Sequence, residues 1–379
     1  MTADLPERGG TSVEGMAAPR PFAVTHRSVL AIALPMMLTH LSTPLVGLVS
    51  TGVIGQLGNA ALVGGVALAA VVFDVVFVSC NFLRGATTGF TAQAVGAGDK
   101  TEEQTMLAGG ILMALAIGLC LLALQAPIGR FGLSLLGADG AVADAAQTYF
   151  AIRIWSAPCV LFNYVVFGWI LGRGEAFLAL ALQTLLNGLG IGLALWLVLG
   201  EGHGVAGAAW ATLVAEAVTA LAGAAIVLIR TDRRHWHLAL LRDGSRVRRL
   251  FGVNADMMVR SIALLLGISF FTRESGQFGT DILAANTILL RYYFLAVSFL
   301  DGVAAAAEQL AGRSVGARYR PAFERTVRLT TLWGVGFAVA MAAAILFTGP
   351  SVIALMAPTP AVEAAALTFL PWAVALPLS

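Results

Sequence analysis

Charged side chains are scarce in this sequence. They make up 12% of the 379 residues, while 58% of the residues are hydrophobic. Ordinary soluble domains carry roughly 25% charged and 45–50% apolar residues. Half the usual charge cannot cover a water-facing surface of this size, which excludes a soluble globular enzyme, a disordered chain and a nucleic-acid binder. The composition predicts a polytopic membrane protein.

Cysteine is also rare. The three cysteines, Cys80, Cys120 and Cys159, lie in apolar stretches, which predicts small buried residues rather than a disulfide framework. His235 and His237 supply too few ligands for a metal site. The sequence lacks a nucleophile elbow, an HExxH helix, a phosphate loop and a dinucleotide fingerprint. We therefore predict that the protein is not an enzyme and binds no cofactor.

Long apolar segments are what the sequence has instead. Ten of them approach or exceed the ~20 residues that span a bilayer as a helix, and runs of this length do not alternate as strands would. The predicted fold class is all-α, a polytopic membrane helical bundle with about ten transmembrane helices. The segments cover residues 29–53, 62–83, 105–126, 142–171, 177–199, 205–229, 251–272, 282–311, 322–348 and 361–378.

Arginines set the predicted orientation. Seven lie between residues 230 and 249, after segment six, and four lie between 313 and 325, after segment eight. Because positive charge favours the cytoplasmic loops, the N-terminus is predicted to be cytoplasmic. The protein is expected in the cell (inner or plasma) membrane, in contact with lipid and without nucleic acid, and the sequence leaves its oligomeric state open.

Internal repeats suggest two lobes. Residues 55–58 recur as 276–279 and residues 95–97 recur as 315–317, each about 220 residues later. The repeat unit holds six segments, so both copies enter the membrane in the same direction, as in transporters whose substrate site lies between lobes. We predict two parallel six-helix repeats, the second incomplete: a cytoplasmic tail (1–28), an N-terminal lobe (29–230), an Arg-rich linker (231–250) and a C-terminal lobe of four helices (251–379).

Polar residues inside these segments need an explanation, because each charge at mid-bilayer costs at least about 2.5–3.5 kcal/mol. Asp74 and Glu216 are candidate proton or cation carriers; the alternative is a protonated carboxyl that bonds a neighbouring helix. Asp256 and Arg260 are four residues apart and are predicted to pair. Pro35 lies inside segment one and predicts a bend. The other candidates for a substrate or ion pathway are Tyr149, Asn187, Thr212, Asn286, Asp301 and Glu308.

Several runs resemble one family. The most specific is Phe82-Leu83-Arg84 followed by Thr87-Thr88-Gly89-Phe90-Thr91-Ala92-Gln93-Ala94. Together with residues 34–36, 44–49, 53–58, 155–158, 215–216, 260–261 and 301–308, it is similar to the DinF-like branch of the multidrug and toxic compound extrusion (MATE) transporters. The resemblance covers about residues 28–379. It implies twelve helices in two six-helix lobes, and export of cationic, amphipathic compounds in exchange for H⁺ or Na⁺. The chain is accordingly interpreted as truncated at its C-terminus.

The sequence also departs from that branch. The family's aspartate in helix one is matched by Ser50, and its Asn-x-x-x-Asp in helix five is matched by Gly190 and Ala194. A family Tyr and Thr that join this cluster are matched by Tyr149 and Thr212. The resemblance therefore implies an N-lobe site that keeps its frame and loses its carboxylates. Asp74 is a candidate replacement, with the C-lobe acids as competitors.

The sequence thus favours a secondary active efflux transporter. It would exchange H⁺ or Na⁺ for amphipathic, cationic drugs or metabolites by alternating access between two lobes. The alternatives are a truncated non-transporting remnant or membrane interaction protein, and a lipid-carrier flippase of related architecture. Neither the substrate nor the choice of ion follows from the sequence.

Overall fold

A computed structural model describes residues 20–137, 139–232, 259, 263–264, 267–268, 270–356 and 359–378. Asp256, Arg260, His235, His237 and the side chain of Ser50 lie outside the described residues. The N-terminal part below means residues 20–232, and the C-terminal part means residues 270–378. Over the described residues the chain is helical with no strand, so the predicted all-α membrane bundle is confirmed.

The N-terminal part holds nine α-helices among the described residues. They are α1 (His26–Gly55), α2 (Ala60–Ser79), α3 (Phe82–Ala97), α4 (Lys100–Ala123), α5 (Gln125–Leu135), α6 (Gly140–Arg153), α7 (Ala157–Gly172), α8 (Ala176–Ala194) and α9 (Gly204–Arg230). A 3₁₀ turn, Ile154–Ser156, joins α6 to α7, and a π-helical stretch, Leu195–Gly200, extends α8.

The C-terminal part adds α10 (Thr280–Gly316), α11 (Arg320–Met356) and α12 (Pro360–Ala375). Residues 270–277 before them are helical as well. The helix α10 also packs along α1 and α3, so it is the main element that joins the two parts of the chain.

Eight stretches of the described chain are long and apolar enough to cross a membrane. They match eight of the ten predicted segments; of the other two, α1 covers segment one, and segment seven lies mostly outside the described residues. The boundaries differ most after segment two, where the helical stretch continues to Ala97, and after segment nine, where it continues to Met356. The short helix α5 between two spans was not predicted.

Polar side chains begin and end several helices. Thr25 caps α1 in a capping box with Ser28: each side chain accepts from the other residue's backbone N–H. At the start of α4, Asp99 accepts a bond of 2.9 Å from the backbone of Glu102. The preceding Gly98 ends α3 at φ 66°, a left-handed conformation that glycine adopts without strain.

Apolar packing forms separate cores. One lies around α7 and joins Trp169, Leu161 and Val165 to residues of α1 and α10. A second lies between α2, α6 and α9 around Phe73, Phe150 and Ile154. The cysteines are free; Cys80 is buried as predicted, but Cys120 is exposed on α4, so the prediction of three buried cysteines is wrong there. Pro35 is buried within α1, and the bend at this residue stays a prediction.

Candidate functional site

A polar cavity lies between the two parts of the chain. It has a volume of about 240 Å³ and lies among α1, α2, α3, α7 and α10. Its polar lining consists of His40 from α1, Ser79 from α2, Asn81 between α2 and α3, Arg84 and Thr88 from α3, and Asp301 and Glu308 from α10. Neither part of the chain forms this cavity alone.

The acids of the cavity come from α10. Asp301 and Glu308 are seven residues apart, which places them on the same side of the helix two turns apart. Glu308 is half-buried. The cation Arg84 on the facing helix interacts with it electrostatically. The sequence predicted both acids as site residues, and the structure places both in one cavity.

The helices α3 and α10 meet at glycines, eight residues beyond Thr88 and Glu308 of the cavity. A Cβ atom built on Gly316 of α10 would collide with the backbone carbonyl of Gln93 on α3. A Cβ on Gly96 of α3 would likewise collide with the backbone of Arg313. Because only hydrogen fits at these positions, α3 and α10 lie in backbone contact there. These contacts are called the glycine seal below.

A second polar cluster lies inside the N-terminal part. Its centre is Arg153, at the end of α6. An Nη atom of Arg153 donates to the hydroxyl of Tyr149 at 3.3 Å, and the guanidinium lies 4.7 Å from the ring centroid of Phe73. The Nε of Arg153 is buried and has no hydrogen-bond partner.

Two carboxylates lie around this arginine. Glu216 of α9 accepts a hydrogen bond of 2.8 Å from the side-chain amide of Asn163 on α7, which also donates to the Glu216 backbone carbonyl at 3.1 Å. Asp74 is exposed on a face of α2 that includes Val71 and Val78, and Val78 borders the cavity. Arg153 is close enough to interact electrostatically with both carboxylates, but neither carboxylate forms an ion pair with it.

The helices α1 and α8 are joined by side-chain hydrogen bonds. The amide of Asn187 donates to the hydroxyl of Ser42 at 2.7 Å, and Gln183 donates to the Asn187 carbonyl oxygen at 3.0 Å. Thr212 donates to its own helix at Ala208, 3.1 Å away. Gly190 and Ala194, which stand where the family has Asn and Asp, add no polar group to α8.

The remaining predicted residues do not join these clusters. Asn286 donates to Ser275 at 2.8 Å near the start of α10. Asp256, Arg260 and the Ser50 side chain lie outside the described residues. Of the predicted residues, two line the cavity between the two parts, Asp301 and Glu308. Three lie around Arg153, namely Asp74, Tyr149 and Glu216. The others, Asn187, Thr212 and Asn286, join neither group.

Sequence reasoning missed Arg153, Asn163, His40 and Arg84 as site residues. A signal was available for Arg153, because it lies within predicted segment four and an arginine at membrane depth needs a reason. Asn163 lies in the same segment. Its bond to Glu216 joins residues 53 positions apart, so only the packing of α7 against α9 reveals it.

The helices are long enough to span a membrane, and they surround a charged cavity that both parts of the chain form. This arrangement defines a multi-pass membrane protein of the transporter type. The MatE family model matches residues 35–196 and 257–377. The chain belongs to the MatE family, the multidrug and toxic compound extrusion transporters, and this confirms the resemblance found in the sequence. Members of this family are transporters and not enzymes.

Curated relatives agree with this assignment. DNA damage-inducible protein F of Escherichia coli (strain K12) is 35% identical over 357 residues, which cover 92% of this chain and 76% of that protein. A probable multidrug resistance protein NorM of Caulobacter vibrioides is 28% identical over 84% of this chain and 66% of its own length.

Solved structures share the fold. One described as the outward-facing conformation of a multidrug resistance MATE family transporter of the MOP superfamily has a TM-score of 0.83. It is 22% identical to this chain, and the match covers 93% of this chain and 80% of that one. At this identity the likeness concerns the fold alone.

Proposed function

We propose that this protein is a secondary active efflux transporter that exchanges H⁺ or Na⁺ for amphipathic, cationic drugs or metabolites. The observation that carries the proposal is the cavity between the two parts, because helices from both contribute charged groups to it. When the N-terminal and C-terminal parts move relative to each other, a binding site between them can open to one side of the membrane and then to the other. Alternating access needs this arrangement.

The glycine seal supports a state in which the cavity is closed toward one side of the membrane. Backbone contact at Gly96 and Gly316 leaves no passage between α3 and α10 on that side of the cavity. Arg20, just before α1, donates to the carbonyl of Ala317, so the N-terminus of α1 lies on the same side. With the N-terminus in the cytoplasm of a cell-membrane protein, as the arginine distribution predicts, the seal faces the cytoplasm.

Carboxylates supply the coupling chemistry. A proton or Na⁺ that binds them must favour one facing state, and the substrate must favour the other, through different affinities for the two states. Asp301 and Glu308 meet this need in the cavity, and Asp74 and Glu216 meet it in the N-terminal part. Negative charge in the cavity also suits a cationic substrate.

Transport of a fluorescent cationic dye by the purified chain in lipid vesicles tests this function. We expect dye movement when a pH or Na⁺ gradient is imposed, and none in empty vesicles. Glu308→Gln should reduce the movement, whereas Glu324→Gln on the exposed surface of α11 should not. Absence of movement under both gradients would favour the remnant interpretation, and movement of a labelled lipid carrier in place of dye would favour the flippase.

Orientation is tested separately in whole cells. A single cysteine that replaces Arg20 should resist a membrane-impermeant thiol reagent until the membrane is permeabilised. Labelling of this cysteine in intact cells would contradict a cytoplasmic N-terminus.

A further inference from the structure

We propose that Asp74, Arg153 and Glu216 form one proton-binding unit inside the N-terminal part, and that this unit binds a single proton. The inference names a coupling site for the transport activity proposed above. Binding of the proton itself can be measured without transport, so the two proposals are tested independently.

The three residues lie at one depth. Asp74, Arg153 and Glu216 each lie 12 to 14 residues after the start of α2, α6 and α9, which corresponds to ~20 Å at 1.5 Å per residue. The three helices belong to even-numbered segments and start from the same side of the membrane. The helix α6 packs against both α2 and α9, so the helix that carries Arg153 lies between the helices that carry the two acids.

Arg153 is held by weak partners. It contacts the rings of Phe73 and Tyr149 and donates to one neutral hydroxyl. Cation–π contacts are weak, and they do not replace a paired carboxylate for a guanidinium at membrane depth. The buried Nε without an acceptor is the position that a carboxylate oxygen would satisfy.

Glu216 has a neutral partner in place of a cation. The Asn163 amide donates to it and is itself 3% exposed, so the bond lies inside the bundle. An amide partner suits both charge states, because a carboxyl oxygen accepts the same hydrogen bond whether the group is protonated or ionised. The pair therefore positions Glu216 without fixing its charge.

Charge balance sets the number of protons. Arg153 stays protonated at all relevant pH values. With both acids ionised the unit carries one net negative charge, and one bound proton makes it neutral. Since a net charge at membrane depth is costly, the unit favours one proton over none, and over two, which would leave the arginine charge unbalanced.

Other titratable or charged groups lie around the unit, and one of them, Arg84, lines the cavity together with the acids Asp301 and Glu308. Among the helices that pack around it, α8 carries no titratable residue. The titratable or charged groups that face the unit or lie along its helices are Tyr149 on α6, Cys159 and Tyr164 on α7, Cys80 and Arg84 next to Tyr164, His40 on α1 toward the cavity, and Arg130 on α5.

The two acids differ in access. Asp74 lies on an exposed face of α2, one turn from Val78, which lines the cavity, whereas Glu216 lies inside, against α7. A proton can therefore reach the unit from the cavity through Asp74. The charge of Arg153 can balance either acid in its ionised form while the other acid holds the proton.

Infrared pH titration of the detergent-solubilised protein tests the shared proton. The carboxylic C=O band reports each protonated acid. Removing either acid leaves one carboxylate and one guanidinium, a neutral pair that needs no proton. We therefore expect Glu216→Gln and Asp74→Asn each to abolish the same single band. Asp144→Asn, at the exposed start of α6, is the matched control and should leave it unchanged.

Independent sites would behave differently. If each acid bound its own proton, Glu216→Gln would remove one band and leave the Asp74 band in place, and this result would overturn the proposal. Glu216→Gln keeps an oxygen for Asn163, so the fold should be preserved. Arg153→Gln should raise the pH at which the band titrates, and Arg153→Lys should restore it.

Vesicle transport separates this inference from the proposed function. If the wild type moves dye under a pH gradient, Glu216→Gln should lower that movement to the level of empty vesicles while dye binding persists. Unchanged gradient-driven movement in Glu216→Gln would refute the unit as a coupling site. If the wild type moves no dye, the efflux proposal fails and the infrared result still decides the proton count.

Discussion

The guanidinium of Arg325 donates a hydrogen bond to the backbone carbonyl of Val24, and the two atoms lie 2.7 Å apart. The bond connects α11 to the segment that leads into α1. His26 accepts from the indole of Trp333 at 3.2 Å on the same surface. Residues 20–26 therefore fasten the first helix to the C-terminal part next to the glycine seal.

Arg325→Gln should loosen this segment. The substitution removes the charge-assisted bond to Val24, which is worth about 1.5–3 kcal/mol when intact. Hydrogen–deuterium exchange of a peptide covering residues 20–26 should become faster. Arg320→Gln is the matched control, because Arg320 pairs with Glu324 at the surface, where the two side chains are 88% and 61% exposed. Equal exchange in the two variants would count against the fastening role.

A buried charge network at the start of α4 gives a second prediction. Glu103 is nearly buried, and it accepts from Arg173 at 2.7 Å and from the indole of Trp169 at 3.0 Å. Arg173 also donates to Glu175 at 3.0 Å, and Glu175 accepts from Arg230. The network ties the ends of α4, α7 and α9 together.

Glu103→Gln should destabilise the protein by about 1–3 kcal/mol, because a partly buried arginine loses one of its two carboxylates. The midpoint of thermal unfolding in detergent should fall. Glu324→Gln removes the acid of an exposed pair on α11 and should leave the midpoint nearly unchanged. A fall of equal size in both variants would show that burial of Glu103 is not the cause.

The helices themselves could be predicted from the sequence because a bilayer requires runs of about 20 apolar residues. The exception is instructive. The Thr-rich stretch after segment two is polar, so the predicted segment ended before it, but the helical span continues to Ala97. The hydroxyl of Thr87 donates to the Leu83 carbonyl at 2.6 Å, and that of Thr88 donates to Arg84 at 2.9 Å. Hydroxyls that donate to their own helix backbone need no partner on a neighbouring helix.

The site was harder to predict than the helices. Asp74, Glu216, Asp301 and Glu308 stood out because isolated acids in apolar runs are costly. Their grouping did not, because it depends on which helices pack together. Periodicity within α10 places Asp301 and Glu308 on one side, but nothing local connects Glu216 to Asn163 or to Arg153.

The contact between α1 and α8 gives a third prediction. The Asn187 amide donates a hydrogen bond to the Ser42 hydroxyl, and the two residues are 145 positions apart in sequence. A double-mutant cycle with Asn187→Ala and Ser42→Ala should give a coupling energy of about 0.5–1.5 kcal/mol in the free energy of unfolding. Thr184→Ala paired with Ser42→Ala should give none, because Thr184 is exposed and bonds only its own helix. Additive effects of Asn187→Ala and Ser42→Ala would contradict a direct bond.

Gly316→Leu gives the last prediction, since it tests whether the glycine seal is the closed gate. A side chain at this position must displace the Gln93 carbonyl of α3, and backbone cannot move aside as a flexible side chain would. The variant should separate the ends of α3 and α10. Spin labels on cysteines that replace Lys100 and Arg318 should then show a longer distance by double electron–electron resonance. Gly336→Leu on α11 is the control, because nothing lies within 4 Å of a Cβ built there. A distance in Gly316→Leu equal to that of the wild type would show that the seal yields without opening.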